Sequence, residues 1–393
     1  MNCFNRIIER RNTNCVKWDH CPSSDDIPMW VADMDFQTAP AIIEALHRRV
    51  DHGIFGYTLV PDSYYESVVR WFAEQHNWKI EPQWIQYITG VVPALSVIVK
   101  ALTEPGDQVI IQTPVYNCFF SSIRNNDCEV VENPLRRVEA EGGFFTYEMD
   151  FDDLERKAAH PRAKLLILCN PHNPAGRVWR AEELTRLNDI CLRHGVLVVA
   201  DEIHCELVTE GHKFIPFASL GEAFLANSIT CNSPSKAFNI AGLQIANIIC
   251  VDEDTRARID RAININEVCD VNPFGVIALQ AAYNEGKEWL RQLNQYIEEN
   301  YRVLCQMLHT ELPTMPIARL EGTYLVWVDI RQTGLSSDQL CDQLLNKGHV
   351  MMNSGPMYGQ EAGEGYIRIN IACPRSRMVE GLERMLRELI IDN

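Results

Sequence analysis

The sequence predicts an α/β fold, a doubly wound and mainly parallel sheet of about seven strands, followed by a smaller α+β unit. Three observations predict it. Short apolar runs without polar alternation recur from residue 85 onward, as expected for strands buried on both faces. Amphipathic segments of helical period separate them, which is the rhythm of parallel strands joined by crossover helices. After Pro273 the rhythm changes to a long helical stretch and then mixed short elements.

The strand-like runs are Ile85–Thr89, Gln108–Thr113, Glu129–Glu132, Lys164–Cys169, Val196–Ala200, Ser228–Cys231 and Ala246–Val251. Helical patterns lie between them at Pro93–Leu102, Phe151–Ala159 and Ala181–His194. An earlier helix is expected at Thr38–Val50, with Thr38 as its N-cap. The region from Pro273 to about Leu312 reads as helix broken near Gly286. Strand Tyr324–Asp329, helix Ser337–Lys347, strands near Val350–Met352 and Tyr366–Ile371, and a helix from Pro374 complete the chain. The expected division is an N-terminal segment, 1–47, packing with the small domain, a large domain at 48–285 and a small domain at 286–393.

Composition narrows the function. The 393 residues are 46% apolar and 23% charged, ordinary globular values that exclude disorder and fibrous classes. A net charge of −17 repels phosphate backbones and anionic lipid, so no nucleic-acid or membrane partner is expected. The 14 cysteines include no C-x-x-C pair, and Cys169, Cys231 and Cys250 sit inside apolar runs. They read as small buried hydrophobes, and no metal site is expected. The first ten residues carry no apolar core of signal-peptide length, and no run approaches a membrane span. The expected setting is the reducing cytoplasm.

Three turns then carry chemistry. Ser233-Pro-Ser-Lys236-Ala-Phe-Asn239 presents a lysine among hydroxyls, Ala200-Asp201-Glu-Ile-His204 a carboxylate, and Cys169-Asn-Pro-His-Asn173-Pro-Ala-Gly176 a turn-borne amide. Each follows a predicted strand, and ligands of open α/β sheets bind beyond the carboxyl ends of the strands. An amine for a Schiff base, a carboxylate for a pyridinium nitrogen and an amide for a ring oxygen are what pyridoxal 5'-phosphate (PLP) requires. Taken singly, each has an ordinary structural reading: surface lysine, N-cap aspartate, Asn-Pro turn. Their combination is what points to the cofactor. Gly90-Val91-Val92 opens a helix, so its free N–H groups face an anion. Tyr116 is placed to stack on a flat ring.

These segments resemble the fold-type I PLP enzymes of the aspartate aminotransferase superfamily, and within them the cystathionine β-lyase/cystalysin-like C–S lyases (the MalY/PatB group). Ala32-Asp-Met-Asp-Phe36, Phe55-Gly-Tyr57, Thr113-Pro-Val-Tyr116, Asn170-Pro-His-Asn-Pro-Ala-Gly-Arg-Val-Trp179, Asp201-Glu-Ile-His204, Ser235-Lys-Ala-Phe-Asn-Ile-Ala-Gly242, Glu321-Gly-Thr-Tyr324 and Arg368-Ile-Asn370 carry the likeness along nearly the whole chain. It implies that Lys236 bonds the cofactor and later removes the substrate α-proton, and that Asp201 keeps the ring nitrogen protonated. Asn173 and His204 are implied at the phenolic oxygen, and Tyr116 on the ring. Ser233, Ser235, Val91 and Val92 are implied at the phosphate, with Tyr57 given by the other subunit of a homodimer. Arg368 is implied as the clamp on the substrate carboxylate, with Asn173, Tyr324 and Asp33 also at the substrate.

One departure from the wider superfamily bears on reaction type. Gln244 stands where aminotransferases usually carry an arginine paired with the phosphate, and the C–S lyases share that absence. The resemblance therefore implies β-elimination of a thiol from cystathionine or another S-substituted L-cysteine, giving pyruvate and ammonia. The alternatives are an aminotransferase, and a regulatory binding protein that contacts a transcription regulator.

Overall fold

In the computed structural model, residues 2–265, 267 and 269–391 are described. The larger sheet has seven strands, in the order Ile85–Ile88, Ala246–Ile249, Ser228–Asn232, Leu197–Asp201, Ala163–Cys169, Gln108–Ile111, Glu129–Glu132. All pairings are parallel except those of Ala246–Ile249, which runs antiparallel to both its neighbours.

The apolar strands are explained by what lies on each side. Val109, Ile111, Leu165, Ile167 and Val199 pack in one core with Ile98, Phe119 and Ile259 from covering helices. Their alternating neighbours Ile110, Leu166, Leu168, Val198 and Ala200 pack in another core with Leu154, Leu184 and Leu187. Successive strand residues point to opposite faces, and here both faces are covered. Helix Ala181–His194 shows the local logic of one covering element. Glu183 accepts from the Arg180 backbone at its start, and Gly195 at φ +67° ends it.

The second sheet has six strands: Asn353–Ser354, Tyr366–Asn370, Leu325–Asp329, Ile317–Ala318, Phe144–Glu148 and Arg136–Ala140. The last two form a hairpin through Gly142 and Gly143, both near φ +78° and +77°. That hairpin falls within 48–285, yet Phe144 and Phe145 pair with Ile317 and Ala318 of the second sheet. Neither of its strands was anticipated from the sequence, and the sheet they join is not set by sequence position. The N-terminal segment forms a separate two-stranded sheet with the C-terminal part of the chain, where Ile27 and Pro28 pair with Val350 and Met351.

The first expected helix starts later than the sequence suggested. It spans Pro40–His52 with Ala39 at the cap, and the Thr38 hydroxyl is buried without a partner. Pro40 sets the first helical φ and has no N–H to cap, which moves the start past Thr38. Helices Asp62–His76, Cys118–Arg124 and Glu253–Asn264 were not anticipated. The first has a periodic buried face of Tyr64, Val68, Trp71 and Phe72. The third buries only Ile259 and Ala262, too little for a visible pattern.

Candidate active site

A cavity of 210 Å³ lies at the carboxyl ends of the larger sheet's central strands. Its lining includes Val91, Val92, Tyr116, Asn173, Asp201, His204, Ser235 and Lys236. These residues come from five separate turns, each fixed by its own bonds.

Asn173 sits in a turn held by buried groups. Trp179 donates its backbone N–H to the Asn170 side-chain oxygen at 3.1 Å and its indole N–H to the Cys169 carbonyl at 3.0 Å. His172 is fully buried, and burial pushes its pKa down to about 4. A neutral ring donating from Nε2 to the Pro114 carbonyl, at 2.9 Å, satisfies that site. Gly176 closes the turn at φ +73°, where a Cβ would meet the Arg319 carbonyl at 3.0 Å.

Asp201 ends its strand and is 4% exposed. Burial pushes its carboxyl up to about 7, against the Ile203 N–H it accepts at 3.1 Å and the nearby Lys236 charge. A cationic partner at this carboxylate would reverse that shift. His204 is also buried, and its Nδ1 has no partner. Burial, then the positive charges of Lys236 and Arg368, push its pKa well down, so the ring is neutral.

Lys236 follows strand Ser228–Asn232 and donates from Nζ to the Ala32 carbonyl at 2.7 Å. Burial and the Arg368 charge lower its pKa to about 8, bringing a usable share of free amine near neutral pH. The Ser233 hydroxyl is turned aside, donating to the Ile245 carbonyl at 2.5 Å and accepting from the Ser235 N–H at 3.0 Å. It shapes the turn that presents Ser235 and Lys236. Helix Val91–Leu102 begins at the cavity, so its first N–H groups and positive dipole end meet that space.

The remaining expected residues lie outside this lining. Arg368 is 3% exposed; it donates to the Asn173 side-chain oxygen at 3.1 Å and to the Trp30 carbonyl at 2.8 Å, while its Nε has no partner. Tyr324 donates to the Ala32 carbonyl at 3.0 Å. Asp33 pairs with Arg10 at 2.8 Å, and Lys17 lies 3.7 Å from it. Tyr57 is 100% exposed on an apolar stretch that also exposes Ile54, Phe55 and Leu59. Gln244 is exposed and lies between Ala241 and Ile245, which line the cavity.

Sequence reasoning missed the backbone partners. The carbonyls of Trp30 and Ala32 hold the two cations, and Ile203 and Cys169 complete the walls. Only the Ala32–Phe36 motif hinted at that segment. A carbonyl leaves no mark in residue type.

Comparison with known proteins places this geometry in context. The aminotransferase class I and II profile matches residues 24–385. Cystathionine beta-lyase PatB of Bacillus subtilis (strain 168) is 45% identical over 386 residues, covering 97% of this chain and 98% of that protein. Cystalysin from Treponema denticola, solved with a pyridoxal 5'-phosphate cofactor, matches with TM-score 0.94 and 34% identity over 99% of this chain and 98% of that one. The PLP-bound C–S lyase from Staphylococcus hominis matches with TM-score 0.90 and 35% identity, covering 98% of each chain.

Proposed function

The chain belongs to the class I and II aminotransferase family, and within it we propose a PLP-dependent carbon–sulfur β-lyase that cleaves cystathionine or another S-substituted L-cysteine. The observation that carries this reading is the convergence of Lys236, Asp201 and Asn173 on one cavity in a chain alike over its full length to PatB.

The donor set fits the cofactor group by group. The unpaired N–H groups of Val91 and Val92 and the Ser235 hydroxyl suit a phosphate. The Asp201 carboxylate suits a ring N–H. Asn173, its oxygen occupied by Arg368, has its NH₂ left for a phenolic oxygen, with neutral His204 nearby. Tyr116 and Ile203 offer walls for a flat ring. Ser233 was expected at the phosphate as well; here its hydroxyl donates to the Ile245 carbonyl and shapes the turn that carries Ser235.

When bound, PLP supplies an aldehyde that condenses with amines and a protonated ring that accepts the electrons left by a departing α-proton. Arg368 orients the substrate through its α-carboxylate, using the fork that now holds Trp30 and Asn173. With the cofactor and substrate bound, the free Lys236 amine would take the α-proton, and the Ala32 carbonyl that it now bonds at 2.7 Å would help to place it. The Cβ–S bond then breaks and the thiolate leaves. Hydrolysis of the three-carbon remainder gives pyruvate and ammonia.

We place the protein as a homodimer in the cytoplasm. The exposed apolar stretch at Ile54–Leu59 supports the first, and 14 unpaired cysteines support the second. No helix among the described residues is long and apolar enough to cross a membrane.

The test is product analysis on L-cystathionine without an added keto acid. Thiol, pyruvate and ammonia in equal amounts support the lyase. A strict need for a keto-acid acceptor, with a new amino acid formed, would replace it with an aminotransferase.

A further inference from the structure

Trp30 to Asp35 form an irregular strap beside the cavity, and its carbonyls hold both cations of the site. Ala32 accepts from the Lys236 amine at 2.7 Å and from the Tyr324 hydroxyl at 3.0 Å. Trp30 accepts from the Arg368 guanidinium at 2.8 Å and from the Asn353 amide at 3.0 Å. The position of each cation therefore depends on where the strap lies.

The strap has no strand ladder of its own; the Asp35 N–H donates to the Ala372 carbonyl at 2.9 Å, and side chains supply the other bonds that fix it. Asn370 donates to the Val31 and Asp33 carbonyls at 2.6 and 2.7 Å. Asn239 accepts from the Met34 N–H and donates to the Met34 and Phe36 carbonyls. Two further cations arrive from the N-terminal segment. Lys17, only 1% exposed, reaches the Asp35 carboxylate at 3.0 Å and the Asp33 carbonyl at 3.2 Å. Arg10 reaches the Asp35 carboxylate at 2.6 Å, Asp33 at 2.8 Å and the Met34 carbonyl at 2.9 Å. The Trp18 indole closes the group on Asp35 at 2.8 Å.

A buried ammonium is costly to desolvate, and an apolar residue of similar volume often serves stability as well. What an apolar residue lacks is direction. Lys17 and Arg10 bond to defined atoms of residues 33–35, immediately beyond the Ala32 carbonyl.

We infer that Lys17 and Arg10 are positioning residues: through Asp33, Asp35 and the Met34 carbonyl they hold the strap whose Ala32 and Trp30 carbonyls set where the Lys236 amine and the Arg368 guanidinium lie. Their effect on turnover rests on the roles proposed above for Lys236 and Arg368. The placement of the amine is readable without substrate.

Two measurements on the full-length chain test this. The first is the rate at which a small acylating reagent modifies Lys236 in cofactor-free protein, followed by peptide mass spectrometry. The second is kcat and KM of the PLP-loaded enzyme on an S-substituted cysteine. Arg11→Met is the control for general damage to the same segment, because Arg11 donates to the Asp26 and Trp18 carbonyls and not to the strap. Lys17→Met should raise Lys236 modification at least about fivefold and lower kcat/KM at least about tenfold, since displacement of reacting groups by a fraction of an ångström is felt strongly. Arg10→Met, at a more exposed position, should act in the same direction and serves where Lys17→Met fails to fold. The inference is overturned if the folded variants stay within about twofold of the parent, or match Arg11→Met, in both measurements. Faster modification in protein with no lyase activity in any form would overturn the lyase reading and leave the positioning role standing.

Discussion

The Arg368 guanidinium donates to the Asn173 side-chain oxygen at 3.1 Å, tying a strand of the six-stranded sheet to a turn of the seven-stranded one. The bond fixes which way the Asn173 amide faces. In the function proposed above, this one contact joins the group that would clamp the substrate to the group that would meet the cofactor, which makes Arg368 a sensitive position to change.

Arg368→Ala removes a buried cation whose removal typically costs about 2–5 kcal/mol, or roughly 30- to several-thousand-fold in kcat/KM. The loss should appear with every amino-acid substrate while the cofactor absorbance persists. Arg368→Lys should recover little, because a point charge does not replace the planar fork. Steady-state kinetics decide it. A loss under about threefold would mean that the carboxylate binds elsewhere.

The buried acids give a pH dependence to the cofactor-free protein. Burial holds Asp201 near 7 and Glu202 near 8, against about 3.9 and 4.3 in an unfolded chain. The native state therefore binds more protons between those values. Stability from these groups is complete below about pH 4 and is lost as pH rises through 7 and 8. Lys236, lowered to about 8, acts oppositely, its contribution being lost as pH falls from about 10.4 through 8. Between pH 5 and 8 the melting temperature should fall, and Asp201→Asn should flatten that fall. An unchanged slope in the variant would show that Asp201 is already ionised in the folded protein.

Much of the fold was legible because the strands are apolar on both faces. Val109–Ile111, Leu165–Cys169 and Val198–Ala200 stand out in any reading of the chain. The turns after them carry the chemistry, so Asn173, Asp201 and Lys236 were legible as a set. The hairpin through Gly142-Gly143 was missed altogether, and its pairing of Phe144 with Ile317 is a long-range event with no local signature. The roles of Arg10, Lys17 and the Ala32 carbonyl stayed hidden for the same reason. They are expressed in bonds between distant segments.

Tyr57 is fully exposed in one chain, which leaves it able to reach the phosphate site of a second copy in the proposed homodimer. If the site is shared, Lys236→Ala subunits mixed with Tyr57→Ala subunits form hybrid dimers holding one site with both residues intact. Co-refolded mixtures should gain activity and PLP affinity above either parent. Mixtures that average their parents, with hybrids shown to form, would confine Tyr57 to its own chain.

The most direct test of the account is where the cofactor attaches. Holoprotein reduced with borohydride and digested should yield a pyridoxyl group on the peptide containing Lys236. Lys236→Ala should lose that label and elimination together, while still binding PLP through Asp201, Asn173 and the Val91 and Val92 amides. A pyridoxyl group on any other lysine, with Lys236 unmodified, would contradict the assignment of this cavity and the chemistry derived from it.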